Sequence, residues 1–508
     1  MSTAGLLLAL FLAPLTALLA NAPSDFGLGP ADRAAVRFTL LQATLSAGLS
    51  CALAVPLARA LARRRFPGHG TLVLLFGAPF VLPAIVAVLG LTAIWGRGGP
   101  ISDALAWLGA ARLDVYGLGG VVLGHVFFNL PLVTRLLLQG WVTIPAEHWR
   151  LAQHLGMTPG AVFRHLERPM LREVLPGAAL LVFLLAMTSF AVALTLGGGP
   201  GASTLEVAIY QALRFDFALG RVALLGLLQF ALGAALALLL LRYGRDSDFG
   251  QGLDLTARPV PNRLAPRHAV WVDTTIIGAS ALLLLAPLAA VAIRGAGALA
   301  AGLPVSVYRA LGTSLAVALP SAALSLLLAL GLAQLALDLG GLRGRIAQTI
   351  GLIGLAASPF VLGSGLFLLV NPIADPFALA LPVTILVNAV MSLPFALRLL
   401  LPALATLRAS YGTLTASLGI TGWARLRYVT WPSIRRPAAF ALGLAAALSA
   451  SDLGVITLFA PPDVETLPLA VYRLMGAYRM TDAMGAALLL MLLSLGLFWL
   501  AGRLGRDP

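Results

Sequence analysis

The sequence predicts an all-α polytopic membrane protein, with about 12 transmembrane helices in two parallel, pseudo-symmetric six-helix halves. Three observations lead there: an apolar composition, apolar runs long enough to cross a bilayer, and a repeat whose copies sit at a constant offset. Hydrophobic residues fill 59% of the 508 positions and charged residues only 11%, and mean hydropathy is +0.94. A soluble chain carries roughly 25% charged residues. About 20 apolar residues in a helix span the ~30 Å hydrocarbon core of a bilayer.

Apolar runs fall near 4–20, 35–60, 71–95, 117–140, 173–196 and 220–242, and again near 270–293, 309–337, 346–370, 377–402, 436–460 and 482–503. The first run, followed by Ala20-Asn21-Ala22, imitates a signal peptide with a small-residue cleavage site. No positive charge precedes it, so it is read as a retained first span. The Gly- and Pro-rich segments near 79–90 and 351–366 are candidates for broken or re-entrant helices. Residues 243–270 are polar and rich in Asp, Arg, Pro and Gly. They read as a cytoplasmic linker, which divides the chain into halves 1–242 and 271–508.

The net charge of +14 comes from arginine alone, since the chain has no lysine. With the N-terminus in the cytoplasm, inside loops and their flanks hold 24 arginines and outside loops 10. This bias places both termini inside and accounts for the basic charge without nucleic acid. The lone Cys51 rules out a disulfide framework.

The halves repeat. NLPLVTRLLL (129–138) matches SLPFALRLLL (392–401) at an offset of 263, and TLEVAIYQAL (204–213) echoes TLPLAVYRLM (466–475) after a one-residue slip. The offset of 263 also aligns LGMTPGAVFRHLERP (155–169) with LGITGWARLRYVTWP (418–432). Gly156 thus meets Gly419, Thr158 meets Thr421, Arg164 meets Arg427 and Pro169 meets Pro432. Both stretches lie in cytoplasmic loops, 145–172 and 404–435. Thr158 is expected to cap a helix that starts at Pro159, and Thr421 to cap its copy similarly. Each helix is expected to run about ten residues until Pro169 or Pro432 stops it. Phe163 with Leu166, and Leu426 with Val429, then form a short apolar stripe beside Arg164 or Arg427. Two such stripes, related by pseudo-symmetry, suit a partner that is itself a symmetric dimer. Helices lying on lipid headgroups are the competing reading.

No phosphate-binding motif of the G-x-x-x-x-G-K-[ST] type exists, and without lysine none can. No catalytic or metal-ligating cluster is visible, so the chain is expected to bind no cofactor and to perform no covalent chemistry. Asp452 is the ionisable residue to notice inside a span, either as a cap at a helix break or as an attractor of cationic cargo. Its repeat-equivalent is Ser189. Asn129 and Asn388 lie in matched spans as candidates to line a path, and Phe127, Phe128 and Phe190 could stack on an aromatic cargo. External loops 197–219 and 461–481 carry mixed charge, including Glu206, Arg214, Glu465 and Arg473.

The Gly–Pro frame of the two cytoplasmic stretches resembles the coupling loop of importer-type ABC permeases, here with both halves fused in one chain. The family's Glu-Ala-Ala would fall on Arg150, Leu151 and Ala152, and on Thr413, Leu414 and Thr415, so only Ala152 agrees. ARALARRRFPG (58–68), LGGGPGASTLEVAIYQAL (196–213) and SDLGVITLF (451–459) look closest to the thiamine permeases of that family. The resemblance implies a type I importer fold in a bacterial inner membrane and two copies of an ATPase that consumes ATP on the chain's behalf. It further implies a periplasmic binding protein above and thiamine as cargo. Ferric iron is the alternative cargo; an ion-coupled secondary transporter is the rival class.

Overall fold

A computed structural model describes residues 3–24, 27–77, 79, 81–243, 269–355, 358–461 and 463–505. The sequence-predicted linker at 243–270 lies, apart from its end residues, outside the described residues. The principal helices of the first half are α1 (Thr3–Asn21), α2 (Pro30–Arg63), α3 (Ala84–Trp95), α4 (Leu118–Thr143), α5 (Arg168–Met187) and α6 (Leu219–Tyr243). Those of the second are α7 (Ala269–Ala301), α8 (Val305–Leu339), α9 (Pro359–Val370), α10 (Ala380–Ser417), α11 (Trp431–Ala450) and α12 (Met480–Leu504). Among the described residues eleven helical stretches are long and apolar enough to cross a membrane, and α9 is a shorter apolar helix.

The two segments expected to be broken are broken. Short helix His69–Leu75 and a turn precede α3, and Gly341–Leu352 with a 3₁₀ turn precedes α9. The helices at 168–196 and 431–460 also break, at Thr188-Ser189 and at Ser451–Leu453, before short helices Phe190–Leu196 and Gly454–Phe459. Two spans run past their expected ends: α7 continues to Ala301, and α10 runs through Pro394 and Pro402 to Ser417. Helices tolerate such prolines where neighbours and local adjustment satisfy the freed carbonyls.

The same packing occurs twice. α2 lies against α4 and α5, as α8 lies against α10 and α11. Each half lends its first helix to the other: α1 packs on α9, and α7 on α3. The close approach depends on one glycine in each broken span. A side chain at Gly90 would meet the backbone of Pro287 at 2.5 Å, and one at Gly365 would meet Pro14 at 2.6 Å. Small residues let membrane helices approach backbone to backbone, where dispersion replaces the missing hydrophobic drive. At the opposite end of the bundle from the Gly–Pro stretches, the Leu205 N–H donates to Thr39 Oγ1 at 2.9 Å, and the Leu467 N–H to Ser314 Oγ at 2.8 Å. Each bond pins the start of a short helix, Leu205–Arg214 or Leu467–Gly476, to the adjoining span, satisfying an otherwise orphaned helix-terminal donor.

Candidate functional site

The two Gly–Pro stretches share one backbone design. Helix Ala146–His154 and α10 both end on a glycine with positive φ, +57° at Gly156 and +62° at Gly419. Gly156 N–H donates to Gln153 O and Met157 N–H to Ala152 O, while Gly419 N–H donates to Ala416 O and Ile420 N–H to Thr415 O. This is the paired-bond Schellman stop, whose left-handed residue is usually glycine because a Cβ is disfavoured there. The helix then restarts within three residues.

Two expectations about that restart need correction. Thr158 does cap the first helix, its hydroxyl accepting from Ala161 N–H at 3.3 Å. Thr421 occupies the matching position without a side-chain cap bond. Gly422 behind it has φ +57°, and this left-handed turn directs the next amides away from the hydroxyl. Nor do the prolines stop the helices. The chain passes from Pro159–Val162 through a π-helical turn, Phe163–Glu167, directly into α5, and from Gly422–Arg425 through Leu426–Thr430 into α11. Arg168 N–H reaches back five residues to Phe163 O, and Trp431 N–H to Leu426 O. Proline lacks an N–H and crowds the carbonyl four residues earlier; the wider turn absorbs both problems without a break. Each stretch is therefore the end of a membrane helix, continuous with it.

Phe163 and Leu426 are each 36% exposed on these ends. Leu166 and Val429 are half-buried, and Arg164 and Arg427 stay exposed. Trp423 and Tyr428 add exposed aromatic surface to the second copy. The first copy is tied to α2: Glu167, 1% exposed, pairs with Arg59 at 2.7 Å and lies 3.9 Å from Arg63, and the Arg59 guanidinium sits over the Phe163 ring. At the matching place the second copy has Thr430 beside a cavity of about 230 Å³ lined by Gln334, Asp338, Arg408 and Leu426 among others.

Deeper in the bundle, the structure brings two of the four path candidates together. Asp452 lies at the break between α11 and Gly454–Phe459, where its Oδ1 accepts the Gly454 N–H at 3.0 Å. Asn388 of α10, 6% exposed, interacts with it and donates to Ser449 Oγ at 3.0 Å. Ser189 stands at the matching break ahead of Phe190–Leu196, and Asn129 is buried in α4. Among the described residues neither is hydrogen-bonded to the Asp452 group. Phe190 does reach it: its ring lies 4.2 Å from that of Phe360, which packs on Gly454.

Sequence reading missed Glu206. Grouped with the solvated charges of the outer loops, it is in fact 1% exposed and faces Ser358 and Asp452. The amphipathic pattern of TLEVAIYQAL was the available signal, since the apolar residues at 205, 208, 209 and 212 bury the face next to it. Near those helices, Arg473 pairs with Glu465 at 3.1 Å and Arg214 donates to Ala460 O at 3.1 Å.

Broken spans where the first and second sets of helices pack together, with matched π-turn helix ends, give the bundle a repeated membrane architecture. The chain belongs to the family of binding-protein-dependent transport system inner membrane components, whose model matches residues 45–245. It is 44% identical over 474 residues, 92% of this chain and 87% of the relative, to the "Thiamine transport system permease protein ThiP" of Brucella abortus (strain 2308). It is 40% identical to the protein of that name from Escherichia coli (strain K12) over 519 residues, 100% of this chain and 96% of the relative. A shorter match, 32% identical over 178 residues and 35% of this chain, is to the "Molybdenum transport system permease protein ModB" of Azotobacter vinelandii. The protein is accordingly a multi-pass inner-membrane transport subunit that works with a binding protein.

Proposed function

We propose that this chain is the channel subunit of an ATP-driven importer that carries thiamine, or its phosphate esters, from periplasm to cytoplasm. Identity of 40% or more along almost the whole chain to thiamine permeases carries this reading. A match confined to one half would have supported only the shared channel architecture. ATP is hydrolysed by two copies of a separate ATPase, seated on the cytoplasmic ends Pro159–Glu167 and Gly422–Thr430. Gly156, Thr158, Phe163, Arg164, Leu166 and Pro169 form the first coupling segment. Gly419, Thr421, Leu426, Arg427, Val429 and Pro432 form the second. Because each end is continuous with a span, a displacement at the ATPase dimer turns α5 and α11 as levers and shifts the balance between inward-open and outward-open states. A two-lobed periplasmic binding protein delivers cargo to the outer helices. Both termini face the cytoplasm, and the halves are 1–242 and 271–508.

The test is uptake into proteoliposomes holding the chain, its ATPase and its binding protein, with labelled thiamine or ferric iron outside and ATP inside or absent. ATP-dependent thiamine entry is the expected result. Iron entry alone would replace the cargo, and uptake indifferent to ATP would overturn the coupling assignment.

A further inference from the structure

Two carboxylates meet in the bundle with no arginine paired to either among the described residues; the Gly454, Val455 and Ile456 amides and Asn388 face Asp452, whereas Glu206 faces only the Ser358 hydroxyl. Glu206 belongs to the first half and Asp452 to the second, and they lie within electrostatic range of each other. Both Glu206 carboxylate oxygens are buried without a well-formed hydrogen bond, although the Ser358 hydroxyl faces them, and Asp452 Oδ2 is likewise buried and unbonded. An uncompensated charge in such a place is costly, and a second like charge beside it compounds the cost. Membrane segments keep ionisable groups of this kind where function requires them.

The surroundings are specific. Phe360 packs on Gly454, with its ring 3.0 Å from where a Cβ there would sit and Asp452 Oδ1 3.4 Å away. Phe190 lies against Phe360 at 4.2 Å and against Tyr210 at 5.4 Å between ring centroids. Asn388 and Ser358 add neutral polar groups. The pseudo-two-fold arrangement offers a second, equivalent place, but there Pro468 stands for Glu206, Ser189 for Asp452 and His125 for Asn388. Repeat architecture would furnish both places alike, so the acids answer a requirement that occurs once per transporter. A single cargo molecule is such a requirement.

We propose that Glu206 and Asp452 together form a cation-accepting station on the translocation path. It takes an organic cation with a flat aromatic ring, the carboxylates meeting the charge and the Phe190–Phe360 pair meeting the ring face. The station is closed over in this conformation and is divided between the halves, so their separation opens it. Two carboxylates repel while it is empty and share one positive charge while it is filled, which biases the open state towards loaded cargo. The inference deepens the thiamine assignment and rests on it for the identity of the cation.

The experiment compares wild type, Glu206→Gln, Glu206→Asp and Asp452→Asn in the complete proteoliposome system. It measures binding-protein-stimulated ATP hydrolysis alongside uptake of labelled thiamine and of an analogue whose thiazolium is replaced by neutral thiophene. Glu206→Gln and Asp452→Asn are expected to lower thiamine uptake at least ~tenfold, the scale of one lost charge-assisted contact. ATP hydrolysis should persist, uptake of the neutral analogue should fall less, and Glu206→Asp should recover part of the loss. Gln is isosteric with a protonated Glu, so normal thiamine uptake by Glu206→Gln would make the carboxyl a neutral structural group and overturn the proposal. Loss of the assembled complex in both Glu206→Gln and Asp452→Asn, or an equal fall for cation and neutral analogue, would overturn it too. Failure of the thiamine assignment shows separately, as absence of thiamine uptake by wild type.

Discussion

Replacing Gly90 or Gly365 by alanine tests the exchange of first helices between halves. At Gly365 the added methyl would lie 2.6 Å from both Cβ and O of Pro14, and at Gly90 2.5 Å from Pro287 O, where ordinary contact begins near 3.4 Å. The atoms in the way are backbone or proline ring, so no rotamer change relieves them and the helices must part by nearly 1 Å. Overpacking of this kind costs up to ~3 kcal/mol. Gly→Ala in a helix interior returns about 1 kcal/mol of propensity, leaving a net loss of ~2 kcal/mol. Gly278, on α7 like Pro287, has nothing within 4 Å of its would-be Cβ, so Gly278→Ala controls for the propensity gain alone. Thermal unfolding of the purified protein in detergent, followed by size exclusion, should give lower midpoints for Gly90→Ala and Gly365→Ala and an equal or higher one for Gly278→Ala. Identical midpoints for all three would refute the backbone-to-backbone packing of α1 on α9 and α7 on α3.

Further outcomes are expected elsewhere in the molecule. Gly419→Ala meets no steric obstacle but must hold φ near +62°, a strain of about 1–2 kcal/mol; with Leu426→Ala it should weaken ATPase association while the fold and membrane insertion persist, and normal assembly and uptake in both would sink the coupling role. Glu167→Gln removes the charge that holds Arg59 and Arg63, a charge-assisted interaction worth about 2 kcal/mol. It should loosen the first coupling segment, read as faster proteolysis or hydrogen exchange over Pro159–Glu167, with Gly422–Thr430 unchanged. Tyr478, 90% exposed, holds φ +60° just past the end of helix Leu467–Gly476, as Phe217 holds φ +50° just past the end of Leu205–Arg214. Strain retained under exposed aromatic rings points to docking, so Tyr478→Gly should keep or raise the melting midpoint while weakening binding-protein association. Unchanged association would assign the residue to the turn alone.

The sequence by itself determined the class of protein, about twelve membrane helices, the repeat and the position of the Gly–Pro frame along the chain. Hydropathy over ~20 residues and Gly–Thr–Pro turn chemistry are local properties, and a constant offset is visible without coordinates. Even the glycines of the frame are explained locally, since a Schellman stop needs only the residues around Gly156 or Gly419. Tertiary structure decided what depends on neighbours. Pro169 and Pro432 look like helix stops, yet the packing of α5 and α11 carries the helix through them on a π turn, because a wider turn costs less than parting a packed helix from its bundle. The lending of α1 and α7 to opposite halves rests on Gly90 and Gly365, which resemble every other glycine in the sequence until Pro287 and Pro14 are set against them. Glu206 and Asp452 are far apart in the chain, on elements that the repeat does not pair, so no periodicity could join them. Only the fold brings them within electrostatic range of each other, with no arginine paired to either among the described residues.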